Sequence, residues 1–228
     1  MKQKLKIIVD VFMTAALLLL MSYNLIGDVT HEIIGAATLV IFIMHHILNR
    51  KWIKSIFKGR YTPFRILQTL IAILVLLTML VQMFSGITLS RHVFSFIHID
   101  GLTSAARIMH MLGAYWGFVL MSLHLGLHWH LVISRVKIKL KKSSKAKQIM
   151  FATPSFILAA YGVYAFISRG LADYMFLKNQ FVFFDFSEPL ILFFIDYLAI
   201  MVLFKFVGYY FSKLIIWLPA RHKNKKSA

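Results

Sequence analysis

Four histidines carry the chemistry open to this sequence inside an apolar environment: His31 and His45, then His110 and His124. Each pair is spaced fourteen positions apart within a hydrophobic stretch, residues 30–52 (THEIIGAATLVIFIMHHILNRKW) and 107–129 (RIMHMLGAYWGFVLMSLHLGLHW). At 1.5 Å and 100° per residue, that spacing leaves two rings about 40° apart on the helix wall and about 21 Å apart along its axis. Two such helices side by side offer two axial imidazole pairs at two depths. Neutral imidazole binds haem iron through one nitrogen while the other donates to a carbonyl or side chain. The spacing therefore points to two bis-histidine haems, whose filled axial positions suit electron transfer rather than oxygen chemistry.

Such ligands need helices in lipid to hold them, and the composition supplies these. Of 228 residues, 60% are hydrophobic, and the mean hydropathy is +0.75. That places the chain among integral membrane proteins. The apolar runs are long and lack period-two alternation, which excludes a membrane β-barrel. The net charge of +18 sits beside the hydrophobic runs, so it marks cytoplasmic loops rather than a nucleic-acid surface. With no cysteine, disulfides, iron–sulfur clusters and thiolate-ligated haem are all ruled out.

The expected fold is an all-α polytopic bundle of six transmembrane helices with both termini inside. Lys2, Lys4 and Lys6 precede an uncleaved first helix over residues 7–26, with Asp10 a solvated group at its inner end. Gly27-Asp28 turns outside, and the second helix spans 29–48. The basic stretch 49–65 leads into the third, which Pro63 opens and which continues to Leu89. An outer loop, 90–103, holds Arg91, His92, His98 and Asp100; the fourth helix then runs to Ile133 and meets the basic run 135–147. Pro154 is expected to open the fifth helix and Arg169-Gly170 to end it. An aromatic outer segment, 174–186, follows. Pro189 opens the sixth, whose pattern persists to Leu218 with Lys205 and Lys213 snorkelling inward, and Pro219 stops it before a disordered basic tail. The chain thus divides into a four-helix di-haem core (1–134), a basic cytoplasmic loop (135–148), two further helices with the aromatic loop (149–219) and a basic tail (220–228). This topology puts all but four of the 26 Lys and Arg inside; Arg91, Arg107, Arg169 and Lys178 stay outside. The second and fourth helices then run in the same direction, so His31 matches His110 in depth and His45 matches His124.

Other residues compete for roles. His46 adjoins His45 about 100° round the helix, and His128, eighteen positions after His110, shares its face and is an alternative inner ligand to His124. Either extra histidine would also suit a propionate or quinone oxygen. Propionates need cations near the interfaces: Arg91 and Arg107 outside, Arg50, Lys51, Arg65 and Arg135 inside. Asp196, in the sixth helix, would relay protons, bind a quinol hydroxyl, or pair with a buried polar group.

The two H-x13-H pairs, with HLGLHW closing the fourth helix, resemble the flavinylation-associated cytochrome family of bacterial membrane proteins. That family, long catalogued as a domain of unknown function, is distantly similar to ferric reductase and cytochrome b membrane domains. The likeness covers mainly residues 6–132. It implies two b-type haems on His31, His45, His110 and His124 and a multi-pass location in the bacterial cytoplasmic (inner) membrane. It also implies an extracytosolic redox partner carrying covalent flavin mononucleotide. Electrons would enter from menaquinol or a cytoplasmic-side donor. Two alternatives stand beside this one: a quinone-reducing membrane anchor for an extracytosolic dehydrogenase, and a histidine-lined transporter of a divalent metal or protons. The transporter needs converging carboxylates, and the second and fourth helices carry only Glu32.

Overall fold

The computed structural model describes residues 2–97, 99–139, 145–182, 185 and 187–226. Helices account for all the regular structure there: α1 Lys2–Met21, α2 Tyr23–Ile26, α3 Asp28–Leu48, α4 Arg50–Ser55, α5 Pro63–Leu89, α6 Thr103–Lys139, α7 Lys145–Ser168, α8 Leu171–Met175 and α9 Leu190–Lys226. Local chemistry sets the breaks. Gly27 takes φ 79° between α2 and α3, a conformation that a side chain would resist. Asn49 closes α3 by donating from its side chain to the His45 carbonyl at 2.9 Å. Pro63 occupies the first position of α5, where its missing N–H costs nothing.

Among the described residues, four segments are long and apolar enough to cross a membrane: α3, α5, Thr103–Ser134 of α6 and Leu190–Leu218 of α9. The shortest has 21 residues, about 32 Å at 1.5 Å each, against a hydrocarbon layer of about 30 Å. Large apolar side chains are exposed on the helices as well as buried in the core. Ile33, Val40 and Ile47 line an exposed stripe on α3, as do Ile66, Leu70 and Leu77 on α5. Ser22, Thr38, Ser85, Ser122 and Ser212 are buried. Each of these hydroxyls donates to a carbonyl three or four residues back on its own chain, which satisfies it without water. The chain is a helical, multi-pass membrane protein.

Two prolines depart from expectation. Pro154 lies inside α7, and Pro219 lies inside α9, which continues to Lys226 through the segment expected to be disordered. Each removes a single ladder bond. The Ala, Lys, Gln, Met and Arg around them are good helix formers, so the helix resumes. The expected basic loop 135–148 is partly helical for the same reason.

Two compact units can be told apart. The first comprises Met1–Arg60, Leu77–Trp116 and Asp173–Phe194; the second comprises Tyr61–Leu76, Gly117–Ala172 and Ile195–Ala228. In the first, α1 and α3 run antiparallel, joined by Lys6 Nζ donating to Asn49 Oδ1 at 2.9 Å and by Asp10 with His45. The end of α5 is antiparallel to the start of α6, with Gln82 beside His110 and Thr78 beside Gly113. Tyr115 stacks on Tyr174 at 4.8 Å, and Trp116 donates to the Met175 carbonyl at 2.8 Å. In the second unit, α6 and α9 run in the same direction, Phe118 meeting Tyr197 and Gly126 meeting Lys205. There α7 is antiparallel to α9: Phe156 faces Phe206, Gly162 faces Ala199 and Arg169 faces Asp196. A Cβ on Gly126 or Gly162 would collide with a backbone carbonyl of α9, so both crossings depend on glycine.

Candidate functional site

The first unit brings His31 and His110 together. Their ring centroids lie 6.1 Å apart with planes inclined by 67°. One metal atom between two imidazoles, with metal–nitrogen bonds of about 2 Å, needs centroids about 6 Å apart. The His31 ring also meets the edge of Tyr23 at 5.0 Å.

Neighbours on α5 set the proton on His110. Ser85 has one hydroxyl proton and donates it into its own helix, to the Val81 carbonyl at 2.7 Å. Its lone pair therefore accepts from His110 Nδ1–H at 3.1 Å. That leaves Nε2 as the bare nitrogen, and the Gln82 amide donates to it at 3.0 Å. A bare Nε2 with Nδ1–H held by a partner is the state in which imidazole ligates iron. Two buried polar atoms at this place lack hydrogen-bond partners, His31 Nδ1 and Gln82 Oε1. A Cβ on Gly113 would stand 2.5 Å from Gln82 Oε1, so the glycine makes room for that amide. Orphaned buried nitrogens and oxygens cost about 1–3 kcal/mol each, and a ligand that takes them up recovers that cost. The donor set fits a bis-histidine metal centre once the Gln82 amide leaves Nε2.

Glu32, next to His31, ties the 90–93 turn to α3. Its carboxylate accepts from Ser90 Oγ at 2.6 Å and from the backbone N–H groups of Arg91, His92 and Val93 at 2.8–2.9 Å. Four donors on one carboxylate fix the start of α3, and with it the His31 backbone.

The second histidine of each sequence pair is described within its own unit. His45, in the first unit, directs Nδ1 at Asp10 Oδ1, 2.8 Å away. Asp10 is half exposed, as expected of an interface residue, but it has this partner as well. A carboxylate on Nδ1 leaves Nε2 for a ligand; Asn49 Nδ2 is 3.4 Å from it. His46 donates from Nδ1 to the Phe42 carbonyl at 2.9 Å and packs on the Phe42 ring. His124 belongs to the second unit, where its ring lies 4.7 Å from that of His128. His130 turns back to the Leu127 carbonyl.

The cations expected at propionates are differently engaged. Arg107 and Arg50 are exposed, Arg65 lies over the Tyr61 ring at 4.5 Å, and the Arg91 backbone binds Glu32. The Arg135 side chain and His98 fall outside the described residues. Asp196 is part of a closed cluster: Arg169 donates to Oδ2 from Nε and Nη2, both at 2.8 Å, and Tyr161 donates to Oδ1 at 2.6 Å. Of the roles open to Asp196, this geometry matches pairing with polar groups, here the half-buried Arg169 and the exposed Tyr161. Sequence reasoning passed over Gln82 and Ser85, although two polar residues three apart in an apolar span would have marked them.

Fold and site together define a helical membrane protein with a half-buried histidine pair, one on the first turn of α3 and one at the eighth residue of α6. The chain matches no known family, no curated protein and no solved structure.

Proposed function

We propose that this chain is a membrane cytochrome, moving electrons between a cytoplasmic-side donor or menaquinol and an extracytosolic acceptor such as a flavin-carrying protein. It would hold two b-type haems in a six-span bundle with both termini inside, in the bacterial inner membrane, a reading supported by the resemblance of its histidine pairs to those of the flavinylation-associated cytochromes. The observation that carries the reading is the His31–His110 pair, with His31 Nδ1 buried and unsatisfied and His110 Nε2 bare. Helix directions add support: each antiparallel or parallel packing within a unit agrees with strict alternation of six spans.

When bound, haem supplies one-electron iron chemistry. The chain's own residues would do the rest. His31 and His110 would hold the outer iron, with Ser85 keeping the proton on His110 Nδ1. Glu32 would fix the His31 turn, and the apolar walls would exclude water. His45, oriented by Asp10, and His124 or His128 would hold the inner iron. The quinone-anchor alternative would draw on Asp196 or His128; both carboxylate oxygens of Asp196 are already bonded. The transporter alternative needs a convergent ligand cluster, and no group of three or more His, Asp or Glu able to hold a metal ion occurs among the described residues.

The test is electron passage across a sealed bilayer. Haem-loaded protein in liposomes with trapped ferricyanide, given an impermeant reductant outside, should reduce the trapped oxidant at least about tenfold faster than empty liposomes. A factor of ten corresponds to about 1.4 kcal/mol in barrier. Equal rates with and without the protein would reject the proposal.

A further inference from the structure

The sequence suggests that Lys205 snorkels to the inner surface, but the side chain does not reach out. Lys205 is 8% exposed, and its ammonium lies 4.2 Å from the centre of the Trp129 ring. It meets no carboxylate among the described residues. Trp129 lies three residues beyond Gly126, which packs closely on the Lys205 carbonyl. A cation over a desolvated indole gains less than the burial of an ammonium without a counter-ion costs. Charges inside membranes face a partner, and this one lacks it.

We infer that Lys205 and Trp129 form the cationic end of a binding site for an oxyanion, a carboxylate or phosphate group, carried on an otherwise apolar molecule. The apolar requirement comes from the surroundings. Both residues lie in segments long and apolar enough to cross a membrane, Thr103–Ser134 and Leu190–Leu218. His124 and Trp129 are five residues apart, about 7.5 Å along the axis. A carboxylate of a cofactor held at His124 would therefore lie at the right level, and so would the phosphate of an acidic phospholipid in the inner leaflet. The burial of the lysine stands apart from the cytochrome reading, on which only the carboxylate arm of the test below rests.

Lys205→Met, with Lys205→Arg as the charge-keeping control, separates the cases in the purified full chain. If an oxyanion is bound, Lys205→Met leaves it unpaired and the melting temperature falls, while Lys205→Arg stays near wild type. With a phosphate source, the acidic phospholipid seen by native mass spectrometry drops from about one per chain to none in the Met variant. With a carboxylate source, lipid content is unchanged and the midpoint potential of one haem falls, because a nearby positive charge has been removed. If the Met variant melts at or above the wild-type temperature, Lys205 is a lone buried charge and the inference is overturned. It is equally overturned if neither lipid content nor potential changes, or if the Arg variant behaves like the Met variant.

Discussion

Replacing His110 with alanine should remove about half of the haem from the purified protein, while His46→Ala should remove none. His110 Nε2 is bare because Ser85 holds the proton on Nδ1. Alanine deletes that ligand and leaves only His31 at the outer site. Losing one of two axial imidazoles from a buried centre goes beyond the roughly 10–100-fold affinity loss typical of disturbing a supporting partner. His46 makes its ring bond within its own helix, to the Phe42 carbonyl, and so serves as the control in the same stretch. Pyridine haemochrome assay per mole of protein reads both. Equal haem in His110→Ala and wild type would move the outer site elsewhere.

The Arg169–Asp196 pair should matter more for stability than for electron transfer. The two side chains are 21% and 13% exposed and share two short contacts, with Tyr161 completing the carboxylate's bonds. Removing only the carboxylate, as in Asp196→Ala, leaves a guanidinium without its counter-ion in an apolar setting and should cost about 3–5 kcal/mol. The double variant Arg169→Met/Asp196→Leu should recover most of that loss, since matched apolar groups replace a buried ion pair at little cost. Denaturant unfolding in mixed micelles measures both. The liposome rate of the double variant should stay near wild type. A double variant as stable as wild type but electrically dead would instead make Asp196 a proton or quinone site.

Periodicity and spacing made the helical scaffold legible. The α5 limits, Pro63 and Leu89, follow from a proline start and the end of an apolar run, and Gly27 marks its turn by being the residue that tolerates φ 79°. The His31–His110 pairing was readable because the fourteen-residue repeat fixes depth on two helices at once. What escaped depends on contacts between distant residues. Asp10 finds His45 thirty-five positions away, and Glu32 finds the 90–93 turn, neither of which a period predicts. Pro154 and Pro219 misled because one lost ladder bond is a small cost within a strongly helical sequence. Lys205 misled because the long stem that permits snorkelling also permits the turn inward onto Trp129.

The account rests on imidazole pairs meeting iron within the membrane, and a reduced-minus-oxidised absorption spectrum of the full chain, expressed with ample haem, tests that most directly. The expected result is the sharp α-band of low-spin b haem, at two haems per chain, with no change on adding carbon monoxide because both axial positions are filled. A colourless protein, or a spectrum that shifts fully with carbon monoxide, would contradict it.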